Sequence, residues 1–399
     1  MLQEQITRAA SQKGDAPIFM LVAGELSGDL LGGGLIRSLK EVYPKAQFFG
    51  IGGPEMMQAG LESIEPIETL SIMGLVEILK DLPNLFKVKR RLVEAAKDRQ
   101  PCCFIGIDAP DFNLRLAKDL KNAGIITFQY VSPSVWVWRE GRVKTIRRNI
   151  DRVLCLFPFE VDFYHKHKVD AVCVGHRLGD EIPLEVDQNA AKKHLNLAQE
   201  TQYLALLPGS RRGEISRLLP YFLESLPLIV ADFPAIEFLI PAATERLKEM
   251  IALELEQLPT ALQQKIHLFQ GQAREIMSAS DAVLLASGTA ALEAMLLNKT
   301  MVVCYRFSGF TAWLAPKIVN ISHFSLPNIL SKEVLVTELF QKAVTPENIA
   351  KEIKLALVDN AENREKREKF RAIHQSLRLN SDIAARDAVL SLLDEKGIL

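Results

Sequence analysis

The chain lacks most of the features that announce an enzyme class outright. It has five cysteines, Cys102, Cys103, Cys155, Cys173 and Cys304, with no C-x-x-C pair; most fall in apolar, strand-like runs. That pattern argues against a structural zinc site and for buried thiols in a reducing compartment. Neither sign of charge is in excess, 48 basic residues standing against 49 acidic ones for a net charge of -1. The balance therefore suggests neither nucleic acid as a partner nor an acidic solvating role, and any basic patch must be local. No uninterrupted apolar segment has the length of a membrane span, and MLQEQITRAASQKGDAP is polar where a signal peptide needs an apolar run, so a cytoplasmic protein is expected. H-E-x-x-H, G-x-S-x-G and the P-loop Gly-Lys-Ser/Thr are missing, and the only H-x-H spacing is His165-Lys-His167 in a polar segment. There is no Asp-x-Asp pair to place a metal on a nucleotide-sugar diphosphate, and no metal or other cofactor is expected.

What is present is a repeated alternation of apolar strand, small-residue turn and helical run. With 399 residues, 48% of them hydrophobic, there is enough chain for two or three domains with real cores. The stretch Asp281 to Arg306 shows the unit most plainly: Ala282 to Ala286 are continuously apolar, as in a parallel strand buried on both faces, Ser287-Gly288-Thr289 breaks the run, and AALEAMLLN forms a helix. First-turn amides lack partners inside a helix and lie at the positive end of its dipole, so this turn suits a phosphate; Ser and Thr are equally ordinary caps. Glu293, about one turn beyond Thr289, shares its face and suits either a ribose or solvent.

The same unit opens the chain. Ile18 to Ala23 run into Gly24-Glu25-Leu26-Ser27-Gly28-Asp29, which lacks the G-x-G-x-x-G spacing of a dinucleotide fold; its glycines suit backbone approach to a ligand or simply a tight connection. Pro101 to Ile107 lead into Asp108-Ala109-Pro110-Asp111. A carboxylate just past a parallel strand lies on the edge where α/β proteins bind ligands, which makes Asp108 the general-base candidate and leaves Asp111 a structural role. After Ile125 to Val131, Trp136, Trp138 and Arg139 suit an apolar or sugar-bearing ligand, or packing. Asp180 to Gln202 reads as a linker. A second series starts at Tyr203, where YLALLPGSRRGE sets Arg211 and Arg212 near turn amides that a diphosphate could meet. Between the two, Ile72 to Leu92 combine an apolar face with Lys80, Lys87, Lys89, Arg90 and Arg91, divided by Pro83; this suits an anionic membrane surface or a helix packed on a sheet. The charged segment from Ala361 is helical by propensity and expected to return to the first domain.

AGELSGDLLGGGLIRSLK, GIDAPDFN, YVSPSVWVWRE, LLPGSRRGE, ASGTAALEAML and SLPNIL, in this order, resemble the lipid-A-disaccharide synthase family from about Phe19 onward. The resemblance implies an α/β protein of GT-B architecture: two Rossmann-like domains, 1-185 and 186-360, facing each other across a cleft, with helices of 361-399 packing back on the first. It implies an inverting transferase joining UDP-2,3-diacylglucosamine to 2,3-diacylglucosamine 1-phosphate (lipid X), releasing UDP. Asp108 would be the base; Gly24, Glu25, Ser27, Gly28 and Asp29 the loop near the acceptor; Gly209, Ser210, Arg211, Ser287, Gly288, Thr289, Glu293 and, more loosely, Asn328 the nucleotide-sugar site. Since both substrates are acylated, a peripheral enzyme on the inner face of the cytoplasmic membrane is implied, with Ile72, Met73, Leu75, Val76, Leu79, Leu82 and Phe86 as lipid contacts. A UDP-N-acetylglucosamine 2-epimerase and a non-catalytic nucleotide-sugar or lipid binding protein remain the alternatives.

Overall fold

The structure, a computed structural model, describes residues 16–70, 75–133, 141–306 and 323–399, with the backbone alone for 75–82. The chain divides into two compact units, one comprising Met1–Asp180 with Leu377–Leu399, the other Glu181–Ser376.

The first unit holds seven strands: β1 (Ile18–Ala23), β2 (Gln47–Ile51), β3 (Leu61–Glu65), β4 (Cys103–Ile107), β5 (Ile126–Tyr130), β6 (Arg152–Cys155) and β7 (Ala171–Cys173). They form one sheet in the order β3-β2-β1-β4-β5-β6-β7, paired in parallel throughout. Its helices are α1 (Leu26–Val42), α2 (Pro54–Ala59), α3 (Leu75–Arg99), α4 (Pro110–Asn122), α5 (Arg142–Asn149), α6 (Pro158–Lys166) and α7 (Arg177–Glu181), the last crossing the boundary between units. The apolar run of β1 follows from burial on both faces. Phe19, Leu21 and Ala23 join one core, Met20 and Val22 the other, and all five are fully buried. Each such large side chain contributes about 1.5–3 kcal/mol, set against the entropy of ordering it.

The second unit opens with α8 (Gln188–His194) and holds β8 (Tyr203–Leu207), β9 (Glu237–Ala242), β10 (Ile266–Gln270), β11 (Ala282–Ala286), β12 (Thr300–Tyr305) and β13 (Thr337–Phe340). The order is β10-β9-β8-β11-β12-β13, again all parallel. Its remaining helices are α9 (Arg212–Val230), α10 (Glu245–Leu255), α11 (Thr260–Gln263), α12 (Ala273–Ala279), α13 (Thr289–Leu296), α14 (Leu326–Ser331), α15 (Pro346–Leu357) and α16 (Ala361–Leu377). Both sheets reverse their winding between the first and fourth strands of the unit. In open parallel sheets such a reversal point is where loops generally diverge and where ligands bind, beyond the carboxyl ends of the strands.

The last helix, α17 (Ser381–Glu395), belongs to the first unit, where Ala385, Val389 and Leu393 enter the core beside Phe19 and Leu35. Arg152 of β6 anchors it, donating to Ala388 O at 3.0 Å and Ser391 Oγ at 2.8 Å. The returning piece is shorter than the sequence suggests, for Ala361 to Ser376 group with the second unit. Two other expectations are corrected. Pro83 does not divide its segment, lying instead inside one 25-residue helix, α3. The supposed linker is folded: α8 packs on α12, with Gln188 Nε2 donating to Ala279 O at 3.0 Å, and buried Lys192 donates to Gln199 O and Thr201 O.

Candidate active site

In the first unit, the turns after β1 and β4 touch. A Cβ on Gly24 would stand 2.4 Å from Ala109 Cβ, so only glycine permits this approach. Asp108 (φ +52°) and Ala109 (φ +40°) are consecutive left-handed residues, a conformation that costs non-glycine residues about 1–3 kcal/mol each and persists only where the surroundings enforce it. The Asp108 N–H donates to Tyr130 O at 2.9 Å. Burial pushes the Asp108 carboxyl above its ordinary range, the negative Glu25 pushes it further, and a hydrogen bond from the Ala109 N–H draws it back. The result is a half-buried carboxylate at the reversal point, made more basic than a surface aspartate. Asp111, in the first turn of α4, pairs with Arg142 of α5.

The residues expected beside Asp108 separate into two groups. Glu25 stands at the N-cap position of α1 without a side-chain cap bond and is exposed, as is Ser27. Gly28 is buried, and a Cβ there would lie 3.4 Å from both Ala23 Cβ and an Ile107 methyl. Asp29 is committed within the protein. It is 2% exposed and accepts N–H bonds from Gly53 (2.7 Å), Glu55 (3.0 Å) and Met56 (3.0 Å), capping α2 with both carboxylate oxygens. The glycine run after it serves packing: a Cβ on Gly32 would meet Met56 Sδ at 2.5 Å, and one on Gly34 the Asp382 carboxylate at 2.2 Å.

In the second unit, the turns after β8 and β11 border a cavity of about 420 Å³. Gly209, Ser210 and Arg211 line it from one side, and Ser287, Gly288 and Thr289 from the other. The β11 side ends at the N-terminus of α13, where the Ala291 N–H donates to Gly288 O at 3.2 Å and the amides of Thr289 and Ala290 precede the helix's own ladder. The β8 side is already partly occupied by a residue the sequence reading passed over. Glu214, in the first turn of α9, accepts the Ser210 N–H at 3.1 Å and bonds the Arg211 guanidinium at 3.2 Å. Gly209 (φ +132°) makes this possible, since a Cβ there would fall 2.6 Å from Glu214 Cβ. The Ser210 amide is thus committed within the protein, while Arg211 stays largely exposed.

Glu293 is half-buried one turn further along α13 and is not among the residues lining this cavity. Burial raises its carboxyl, Arg274 lowers it, and Glu181 and Glu275 raise it again. Asn328 is fully buried in α14, where it accepts the N–H of Leu335 (2.8 Å) and Val336 (2.9 Å) and donates to Val336 O (3.0 Å), bonds that pin the loop before β13. Trp136, Trp138, Arg139, Ile72 and Met73 lie outside the described residues, as do the side chains of Leu75, Val76, Leu79 and Leu82. Phe86 is 54% exposed on α3. No helix among the described residues is long and apolar enough to cross a membrane.

Residues 18–390 match the family model described as lipid-A-disaccharide synthetase. The chain is 47% identical to the lipid-A-disaccharide synthase of Chromohalobacter salexigens over 94% of its own length and 96% of the relative's. It is 48% identical to that of Acinetobacter baylyi over 84% and 86%. Among solved structures it is similar to the glycotransferase of kitacinnamycin (TM-score 0.63, 15% identity, 95% and 100% covered). It is likewise similar to a UDP-GlcNAc 2-epimerase from Neisseria meningitidis bound to UDP-GlcNAc (TM-score 0.61, 12% identity, 94% and 100% covered). At such identities the structural likeness speaks for the fold alone, the pair of Rossmann-like domains that GT-B glycosyltransferases and these epimerases share.

Proposed function

Because the chain belongs to the lipid-A-disaccharide synthase family, we propose a division of labour between its two units in the family's glycosyl transfer. The protein is a hexosyltransferase that joins UDP-2,3-diacylglucosamine to 2,3-diacylglucosamine 1-phosphate, giving the β-1,6-linked disaccharide 1-phosphate and UDP. The second unit holds the UDP moiety at the cavity between the β8 and β11 turns, where α13 amides and Arg211 offset the charge of the departing diphosphate. The first unit supplies Asp108, which takes the proton from the acceptor's 6-hydroxyl as that oxygen attacks the anomeric carbon from the face opposite UDP, inverting it. The observation that carries this reading is the Asp108 carboxylate itself, held at the β1/β4 reversal and shifted toward basicity by burial and Glu25. An assay of the purified protein with both acylated glucosamines, reading disaccharide and UDP together, is the direct test. UDP release without disaccharide, or epimer formation from UDP-N-acetylglucosamine alone, would overturn it in favour of a different reaction.

Acylated substrates call for a bilayer, and the proposal places the enzyme on the inner face of the cytoplasmic membrane. Support comes from the helices covering one face of the first sheet. Phe86 is exposed on α3, and a second cavity, of about 460 Å³, is lined by Lys144 and Arg147 of α5 with Lys166 and Lys168 at the end of α6. Among the described residues none of these four cations has a carboxylate partner, which suits anionic headgroups. Flotation with phosphatidylglycerol vesicles should carry the protein at low salt and lose it at high salt. Equal flotation with neutral vesicles would remove the electrostatic part of the reading.

A further inference from the structure

We propose that Asn113 and Gln129 are positioning residues for the transfer, their side-chain amides jointly holding the Asp108 peptide in its left-handed turn and so aiming the carboxylate. The inference rests on the reading of Asp108 as general base. Both residues are fully buried, Asn113 on α4 and Gln129 on β5. The Asn113 NH₂ group donates to Asp108 O at 2.9 Å, Val22 O at 3.2 Å and Ile107 O at 3.3 Å, tying together the ends of β1 and β4. The Gln129 NH₂ group reaches the same Asp108 oxygen at 3.1 Å, together with Tyr130 O and Val131 O at 3.3 Å. Two amides from different elements thus converge on one carbonyl, while the N–H of that residue is fixed to Tyr130 O.

The arrangement is costly, and the cost points to purpose. Asn113 Oδ1 and Gln129 Oε1 are both buried without a hydrogen-bond partner. Turning either amide over would set its oxygen against backbone carbonyl oxygens, so each group acts as a donor only. Gly106 makes room for the clamp, since a Cβ there would stand 2.8 Å from Asn113 Cβ. A plug meant only to fill the core would be served better by leucine, which leaves no orphaned oxygen. Two strained residues at a catalytic turn do need such enforcement.

The test uses the full chain with Gln129→Leu, Asn113→Leu and Gly106→Ala, the last of which crowds Asn113 and removes no amide. A base displaced by about 1 Å can lose up to about a hundredfold in rate, so kcat should fall roughly tenfold to a hundredfold with KM and UDP affinity nearly unchanged. The acid limb of the kcat/KM profile should move to higher pH, because a loosened turn gives up the Ala109 N–H bond that favours the ionised carboxylate. In an Asp108→Ala background, Gln129→Leu should cost no further turnover. Wild-type kcat and acid limb in a variant that has lost only thermal stability would overturn the proposal, as would additive losses in the double variant. If a leucine variant does not fold, Gln129→Asn, which withdraws the amide by one methylene and keeps its polarity, is measured the same way. Near-normal activity of Asp108→Ala would sink the base reading itself, whereas an inactive Asp108→Ala beside a fully active Gln129→Leu sinks only this one.

Discussion

The two units wind their sheets in the same order from the first strand to the fourth, yet they use the reversal point in opposite ways. In the first unit the space is taken up by the protein: Gly24 lies against Ala109, Asp29 is consumed in capping α2, and Asn113 and Gln129 fill the ends of β1, β4 and β5. What remains among the described residues of these turns is one raised carboxylate on a strained turn. In the second unit the space is left open. A Cβ at Gly288 would meet nothing within 4 Å, and the turns frame a cavity rather than each other. One topology thus yields a closed turn around a single carboxylate and an open cavity between turns. The difference lies in how closely the two turns approach.

That contrast can be broken most severely at Asp108. Asp108→Ala should lose about a hundredfold to ten-thousandfold in kcat while UDP affinity, which the proposed function assigns to the other unit, stays put; steady-state kinetics beside UDP calorimetry separates the two. The same residue has a stability signature. Since folding lifts the Asp108 carboxyl above its unfolded value, its contribution is full below about pH 4 and is lost as pH rises through the lifted value. Asp108→Asn should accordingly melt higher than the parent at pH 7 and show little gain in acid.

Glycine exchange is the next largest lever. Gly24→Ala must force Ala109 away and should cost about 1–3 kcal/mol of stability along with turnover. Gly288→Ala, in extended backbone with open space around it, should leave the melting temperature unchanged and act on UDP binding alone. Equal melting losses in both variants would erase the distinction between a closed and an open turn. A smaller effect is expected from Arg211→Ala, about tenfold in UDP dissociation constant with acceptor KM unaffected. Unchanged UDP affinity there would take Arg211 out of the site. The smallest concerns Lys299 of the second unit, whose amine burial lowers to about 8 while it donates to Ser280 O at 2.8 Å. The folded value lies below the unfolded one, so its stabilising share is present above about pH 10 and lost as pH falls toward 8. Urea melts across that window should show a stability slope that Lys299→Met lacks and that no first-unit variant alters.

Much of the fold was legible because apolar runs such as FMLVA and AVLLA have a single local solution, a strand buried on both faces. The strands that escaped notice, β3 (LESIE) and β13 (TELF), are edge strands with few apolar residues, where periodicity carries little signal. The positions of Asp108 just past β4 and of the Ser287 to Thr289 turn just past β11 could be read from the chain. Asp29 and Asn328 have surroundings that the sequence does not show. Each is a polar residue in a motif that reads as a ligand site, and each spends its hydrogen bonds on backbone amides brought near by folding. Glu214 was in view within GSRRGE, but its grip on the Ser210 amide was not.

By itself, then, the sequence determined two series of parallel strand-and-helix units, the turns at which polar groups gather, and the family to which those turns correspond. Strand burial and turn chemistry are local and repeat along the chain, so they can be read there. Only the tertiary structure decided which polar groups remain available. A buried donor or acceptor must find a partner somewhere, and Asp29, Asn113, Gln129 and Arg152 each find partners beyond their own element, up to 243 positions away in the case of Arg152 and Glu395.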